Sequence, residues 1–239
     1  MSSYPARAVV DLAAIRANVE TLVARAPSAQ VMAVVKADGY GHGLVPSARA
    51  ALAGGATWLG AAQVPEALAL RAAGLEARVL TWLYAPGAPL AEAVAADVDV
   101  SVSASWALDE VVTGARTAGR TARVHLKVDT GLGRNGAMAT EFPALLDAAL
   151  RAEASGEVRV VGIWSHFAWA DAPQHPTVVA QAEVFAAMVA LAESRGARLE
   201  VRHLANSAAT LTNPAVHYDL VRPGIAVYGL SPMPGRTRS

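Results

Sequence analysis

Val31-Met32-Ala33-Val34-Val35-Lys36-Ala37-Asp38-Gly39-Tyr40-Gly41-His42-Gly43 runs from five apolar residues into a lysine and a glycine-rich turn. A short, unbroken apolar run rich in valine reads as a strand covered on both faces, the habit of parallel sheets. The pattern recurs down the chain. Strands are expected at Val31–Ala37, Trp58–Gln63, Arg78–Tyr84, Val98–Ala104, Ala122–Asp129, Val158–Phe167, Glu200–Ala205 and Val221–Leu230. Helices are expected between them, at Val45–Ala53, Pro65–Ala73, Pro89–Ala96, Ser105–Ala118, Glu141–Ala154 and Thr177–Arg195, with a turn or two after Asn206. An earlier helix, Asp11–Arg25, precedes the first strand, and Asp11 is placed to cap it. Strands alternating with helices imply right-handed βαβ units and a parallel sheet. Eight such units in 239 residues suit a single-domain (β/α)8 barrel of the TIM type. A doubly wound open sheet has the same alternation, and strand counting leaves it open.

The lysine at the end of the first run is one of only two, Lys36 and Lys127, against eighteen arginines. A primary amine can lose its proton, attack a carbonyl and form an imine; a guanidinium stays charged. A strand that delivers a rare amine to its own end points to Schiff-base chemistry. The other polar residues of interest also fall where strands end, the catalytic edge of a barrel. Tyr40 follows Lys36. Lys127 through Arg134 closes the fifth strand, Ser165-His166-Phe167 the sixth, and His203 through Ser207 the seventh. Arg222-Pro223-Gly224-Ile225 lies on the eighth.

Each of these has a plainer reading. Tyr40 could cap the rim, His166 could be a hydrogen-bonded core histidine, and Arg222 could be structural. Asn206-Ser207 could cap a short helix, although such a terminus is also a phosphate site. His42, His125, His175, His203 and His217 read as structural, because no metal-ligand spacing links them. Gly131-Leu132-Gly133-Arg134-Asn135-Gly136 matches the dinucleotide-binding G-x-G-x-x-G pattern, with Glu153 at a ribose-binding distance. Lys127 and Asp129 at that strand end burden a pyrophosphate approach, so a nucleotide-dependent oxidoreductase is the weaker reading.

Composition narrows the classes. Net charge is zero, which argues against nucleic acid and polybasic membrane surfaces. There is no cysteine, which excludes disulfides, thiolate catalysis and cysteine metal sites. No secretory signal is evident over Met1–Val10, and the uncharged stretch Ala50–Pro65 is short for a membrane span and broken by glycines. A cytoplasmic location is expected, with no nucleic-acid, membrane or metal partner.

Taken together, Val34 through Gly43, Lys127 through Arg134, His203 through Ala209 and Val221 through Gly229 resemble the N-terminal barrel of the alanine racemases, a pyridoxal-phosphate (PLP) family. The resemblance runs from about Val9 to Leu230. It implies that Lys36 carries PLP as a Schiff base and then serves as one of two bases at the substrate Cα–H. It implies that Tyr40, Ser207 and the amides of Gly224 and Ile225 bind the phosphate, with Asn206 close by. Arg134 would serve the ring phenolate and the substrate carboxylate. Arg222 would face the pyridine nitrogen, and His166 would lie beside the ring and orient Arg222. Lys127 resembles a lysine that is carbamylated in some members. An arginine at the ring nitrogen leaves that nitrogen largely unprotonated and limits side reactions, which suits a racemase.

The resemblance also implies a homodimer, a second β-rich domain and a catalytic tyrosine from that domain for the opposite substrate face. Tyr4, Tyr84, Tyr218 and Tyr228 do not match it. Residues 1–230 are therefore expected to be the barrel, with 231–239 a tail at the start of the second domain. The barrel portion of an alanine racemase, making D-alanine for peptidoglycan and of low activity alone, is the leading reading. A stand-alone PLP-binding barrel is the alternative, distinguished by cofactor transfer without amino-acid turnover.

Overall fold

The computed structural model describes residues 6–233; the expected tail beyond 233 lies outside them. Asp11 caps the helix Leu12–Arg25 by accepting the Ala13 and Ala14 amides. The strands are β1 (Gln30–Val34), β2 (Trp58–Gln63), β3 (Arg78–Leu83), β4 (Asp99–Val102), β5 (Ala122–Asp129), β6 (Ala137–Met138), β7 (Val158–Trp164), β8 (Val201–His203) and β9 (Leu220–Val221). Every pairing is parallel. The order is β8-β7-β5-β4-β3-β2-β1-β9, with β6 a short side pair on β5. The Asp219 and Arg222 amides donate to the carbonyls of Arg202 and Ala205. These bonds bring the two outer strands together, so the sheet is a nearly closed eight-stranded barrel and not an open one.

Helices follow the strands and cover the outside. Along β5, Val124, Leu126 and Val128 are buried against them, while the alternate residues Arg123, His125 and Lys127 face the interior. The lower interior is apolar, filled by Met32, Trp58, Leu80, Val201 and Leu220. Polar side chains run through the rest: Asp99, Ser101, His125, Lys127, His203 and Arg222 are all buried. The helix Pro176–Ser194 is long and apolar enough by composition to cross a membrane. Here it buries Val178, Phe185, Val189 and Ala192, and its Gln181 amide donates to Thr130 and the His166 carbonyl.

Two expected strands change character. Val221–Leu230 is extended only at its start. Pro223 offers no N–H to a ladder, Gly224 leaves the extended region (φ −113°, ψ −84°), and Ile225–Tyr228 forms a 3-10 turn. The first strand ends at Val34, because Ala37, Asp38, Gly39 and Tyr40 all take left-handed backbone angles, with φ between 52° and 61°. β3, β4, β7 and β8 also came out shorter, each losing one to three residues at its carboxyl end, and β4 and β8 one more at the start.

Candidate active site

A left-handed turn costs about 1–2 kcal/mol for each non-glycine residue in it, so Ala37, Asp38 and Tyr40 need support. Glu66, in the first turn of the helix Val64–Ala72 that follows β2, accepts the Ala37 amide at 2.6 Å on one oxygen and the Ala62 and Gln63 amides on the other. Asp38 accepts the Leu44 amide at 2.7 Å. The turn is thereby clamped from both sides, and Lys36 and Tyr40 leave it toward one cavity, with the Lys36 Nζ 5.7 Å from the Tyr40 ring centre.

That cavity, about 620 Å³, opens at the carboxyl ends of the strands. Lys36, Tyr40, Lys127, Arg134, His166, Asn206, Ser207, Arg222, Gly224 and Ile225 all line it. Its charge is lopsided: Lys36, Lys127, Arg134 and Arg222 face it against Asp171 alone. In one corner the Ser207 hydroxyl accepts the Gly224 amide at 2.8 Å and the Ala226 amide at 3.3 Å. With its lone pairs taken, that hydroxyl is free to donate. The Ile225 amide opens a 3-10 turn and so has no helical acceptor. Asn206 is spent as a cap, its side chain accepting the Ala209 amide. A Cβ on Gly224 would lie 2.3 Å from the Tyr40 hydroxyl, so only glycine lets that phenol into the corner.

The floor of the cavity is aromatic and cationic. Trp164 lies 4.5 Å from the Lys127 Nζ and 4.8 Å from the Arg222 guanidinium carbon. Burial, with Arg134 and Arg222 nearby, pulls the Lys127 pKa down to about 8. Burial and the same cluster of cations pull His166 down to about 3, so it is a neutral ring at physiological pH. Arg222 donates to the Ser165 carbonyl at 2.6 Å, to His203 Nδ1 at 3.1 Å and to the Leu204 carbonyl at 3.3 Å. The orienting role expected of His166 therefore falls to His203. Among the described residues, His166 makes no hydrogen bond to Arg222, because it lies past the end of β7, whereas His203 is on the strand beside Arg222.

The glycine-rich loop does not present a phosphate cradle. The Asp129 carboxylate takes the amides of Gly131, Leu132 and Gly133. No helix starts there either; the next one is Phe142–Ala154, beyond β6.

A family model described as "Alanine racemase, N-terminal domain" matches residues 10–232. The chain belongs to the alanine racemase family. An alanine racemase of Beutenbergia cavernae is 66% identical over 235 residues, covering 98% of this chain and 62% of the relative. One from Frankia casuarinae is 62% identical, covering 95% of this chain and 59% of the relative. The chain thus spans about three-fifths of the length of these racemases. Among solved structures, the alanine racemase of Streptomyces lavendulae superposes with a TM-score of 0.93 at 58% identity, over 94% of this chain and 59% of that one. The racemase of Corynebacterium glutamicum superposes at 0.88 and 35% identity, over 95% of this chain and 64% of that one.

Sequence reasoning passed over Trp164 and Asn135, which line this cavity, and read His203 as structural without its bond to Arg222. Asn135 lines the cavity with a buried side-chain oxygen that has no partner. The signal for His203 was available: polar residues at alternate positions of otherwise apolar strands, as in Arg123-x-His125-x-Lys127, face a barrel interior.

Proposed function

We propose that this chain is the cofactor-binding barrel of a PLP-dependent alanine racemase, which interconverts L-alanine and D-alanine. The observation that carries the reading is the convergence of Lys36, Arg134, Arg222 and the Tyr40–Ser207–Gly224 corner on one cation-rich cavity. The donor set fits a phosphorylated aromatic aldehyde. When bound, PLP supplies an electron sink that makes an amino acid's Cα–H labile. Lys36 would link the cofactor through its amine and, once displaced by the substrate, hold or return the proton on one face. Tyr40, the Ser207 hydroxyl and the Ile225 amide would hold the phosphate. Gly224 would contribute through Ser207, which its amide already engages, with Asn206 fixing the helix end behind it. Arg222 would donate to the ring nitrogen, and neutral His166 would lie beside the ring.

Arg134 would serve the phenolate and the substrate carboxylate. As an amine, Lys127 repels both Arg134 and Arg222. As a carbamate it would attract and orient them, and its depressed pKa leaves a neutral amine available to react with carbon dioxide. Tyr40 is the only tyrosine among the described cavity-lining residues. The acid or base for the opposite substrate face is therefore expected from outside this barrel, which would bind PLP but racemise alanine slowly by itself. The reading carries with it a cytoplasmic homodimer that supplies D-alanine for peptidoglycan, with residues past 230 leading into a second domain.

The test is a visible absorption spectrum with added PLP, for wild type and Lys36→Ala. Wild type is expected to show a lysine-linked cofactor band that borohydride erases, leaving the label on Lys36. Identical spectra for the two proteins would remove the reading. Racemisation assays on alanine and serine then fix the substrate.

A further inference from the structure

A hydrogen-bonded chain of buried side chains crosses the barrel interior from its floor to the cavity. At the floor, Asp99 begins β4, fully buried, and takes ion pairs from Arg78 and, at 2.7 Å, from Arg123. His125 Nε2 lies 3.0 Å from the Asp99 carboxylate, His125 Nδ1 lies 2.9 Å from His203 Nε2, and His203 Nδ1 meets the Arg222 guanidinium at 3.1 Å. The fold makes room for this chain. Gly162 faces the His125 ring, and a Cβ there would lie 2.3 Å from Nδ1. The β5–β7 register also shifts at Val124/His125.

The polarity of the chain is forced. Arg222 can only donate, so His203 Nδ1 must be bare and its proton must sit on Nε2. His125 Nδ1 must then accept, which puts its proton on Nε2, facing Asp99. A carboxylate can only accept, so it closes the sequence. Burial, with Arg222 and His125 beside it, keeps His203 from taking a second proton. The carboxylate at one end of the barrel therefore fixes which nitrogen is bare at the other.

We propose that Asp99 is a positioning residue for Arg222, acting through His125 and His203 to hold the guanidinium as a donor toward the cavity. The inference rests on the reading that Arg222 faces the cofactor ring. An Asp99→Asn substitution keeps the shape but replaces one acceptor with a donor amide. Turned toward His125, that amide reverses both tautomers and sets a His203 N–H against the Arg222 N–H.

The experiment is 15N NMR of the histidine-labelled chain, first without PLP and then with it. In wild type, His125 and His203 are expected to carry their proton on Nε2 alone, and His203 is expected to stay neutral as pH falls through the ordinary histidine range, because burial beside Arg222 and His125 holds its pKa well below that range. A cationic or Nδ1-protonated His203 would overturn the proposal, and this reading needs no variant to fold. In Asp99→Asn, His203 is expected to move to the Nδ1–H form and the PLP dissociation constant to rise roughly tenfold, the scale of one unsatisfied buried donor. Unchanged tautomers together with unchanged PLP affinity would also overturn it. Arg78→Lys, which leaves the carboxylate and both rings in place, is expected to keep the wild-type tautomers. A chain with the expected tautomers that fails to bind PLP would count against the racemase reading and not against the relay.

Discussion

Replacing Gly224 by alanine tests the phosphate corner with a single methyl group. The new Cβ would lie 2.3 Å from the Tyr40 hydroxyl and 3.2 Å from its ring carbon. Ordinary contact begins near 3.4 Å, so the hydroxyl must withdraw by about 1 Å, beyond useful hydrogen-bond geometry. It cannot swing freely, because the Tyr40 ring rests on Tyr228 at 4.9 Å and Tyr228 stacks on His42 at 4.7 Å. A hydrogen bond to a charged group is worth about 1.5–3 kcal/mol, so PLP affinity should fall roughly 10- to 150-fold. Titration of the cofactor band gives the dissociation constant directly. Tyr40→Phe deletes the same hydroxyl and should weaken PLP to a similar degree. In the double variant the methyl group no longer meets an oxygen, so it should bind PLP about as well as Tyr40→Phe alone. Two costs that simply add, or a Gly224→Ala protein with wild-type affinity, would refute the argument that Gly224 exists to admit Tyr40.

Two further outcomes are expected. Lys127, with its pKa near 8, should take up label from 13C-bicarbonate increasingly as pH rises through that value, giving a carbamate carbonyl signal that Lys127→Ala lacks; no signal at high pH would count against the carbamate. His166 and His203 have folded pKa values pulled below 6.5, so below that pH the unfolded chain binds protons that the native one refuses. Stability is therefore full above about pH 6.5 and falls as pH drops toward 3, and denaturant midpoints should fall less steeply for His166→Asn; parallel curves for the two proteins would show that His166 is not responsible.

Much of the scaffold was legible because it depends on local pattern. Trp58–Gln63, Ala122–Asp129 and Ser105–Ala118 have the same limits in the chain as in the fold, since apolar runs and flanking breakers decide them. Val221–Leu230 misled because Ile225, Val227 and Tyr228 favour strands, while Pro223 and the close approach of Tyr40 to Gly224 outweigh them. The glycines after Lys36 announced a turn, but not that alanine, aspartate and tyrosine would share its handedness; Glu66, thirty residues on from Lys36, supports that. His203 was correctly read as a buried, hydrogen-bonded histidine. Its bond to Arg222 was invisible because it joins neighbouring strands nineteen residues apart.

The zero net charge of the chain conceals a dipole. Four cations face the cavity against one carboxylate, so the rest of the chain carries the matching negative excess. An approaching phosphate dianion is drawn toward the mouth. The screening length is only about 8 Å at physiological salt, so this guidance acts close to the rim and weakens as salt rises. Cofactor capture, more than retention, is where ionic strength should be felt.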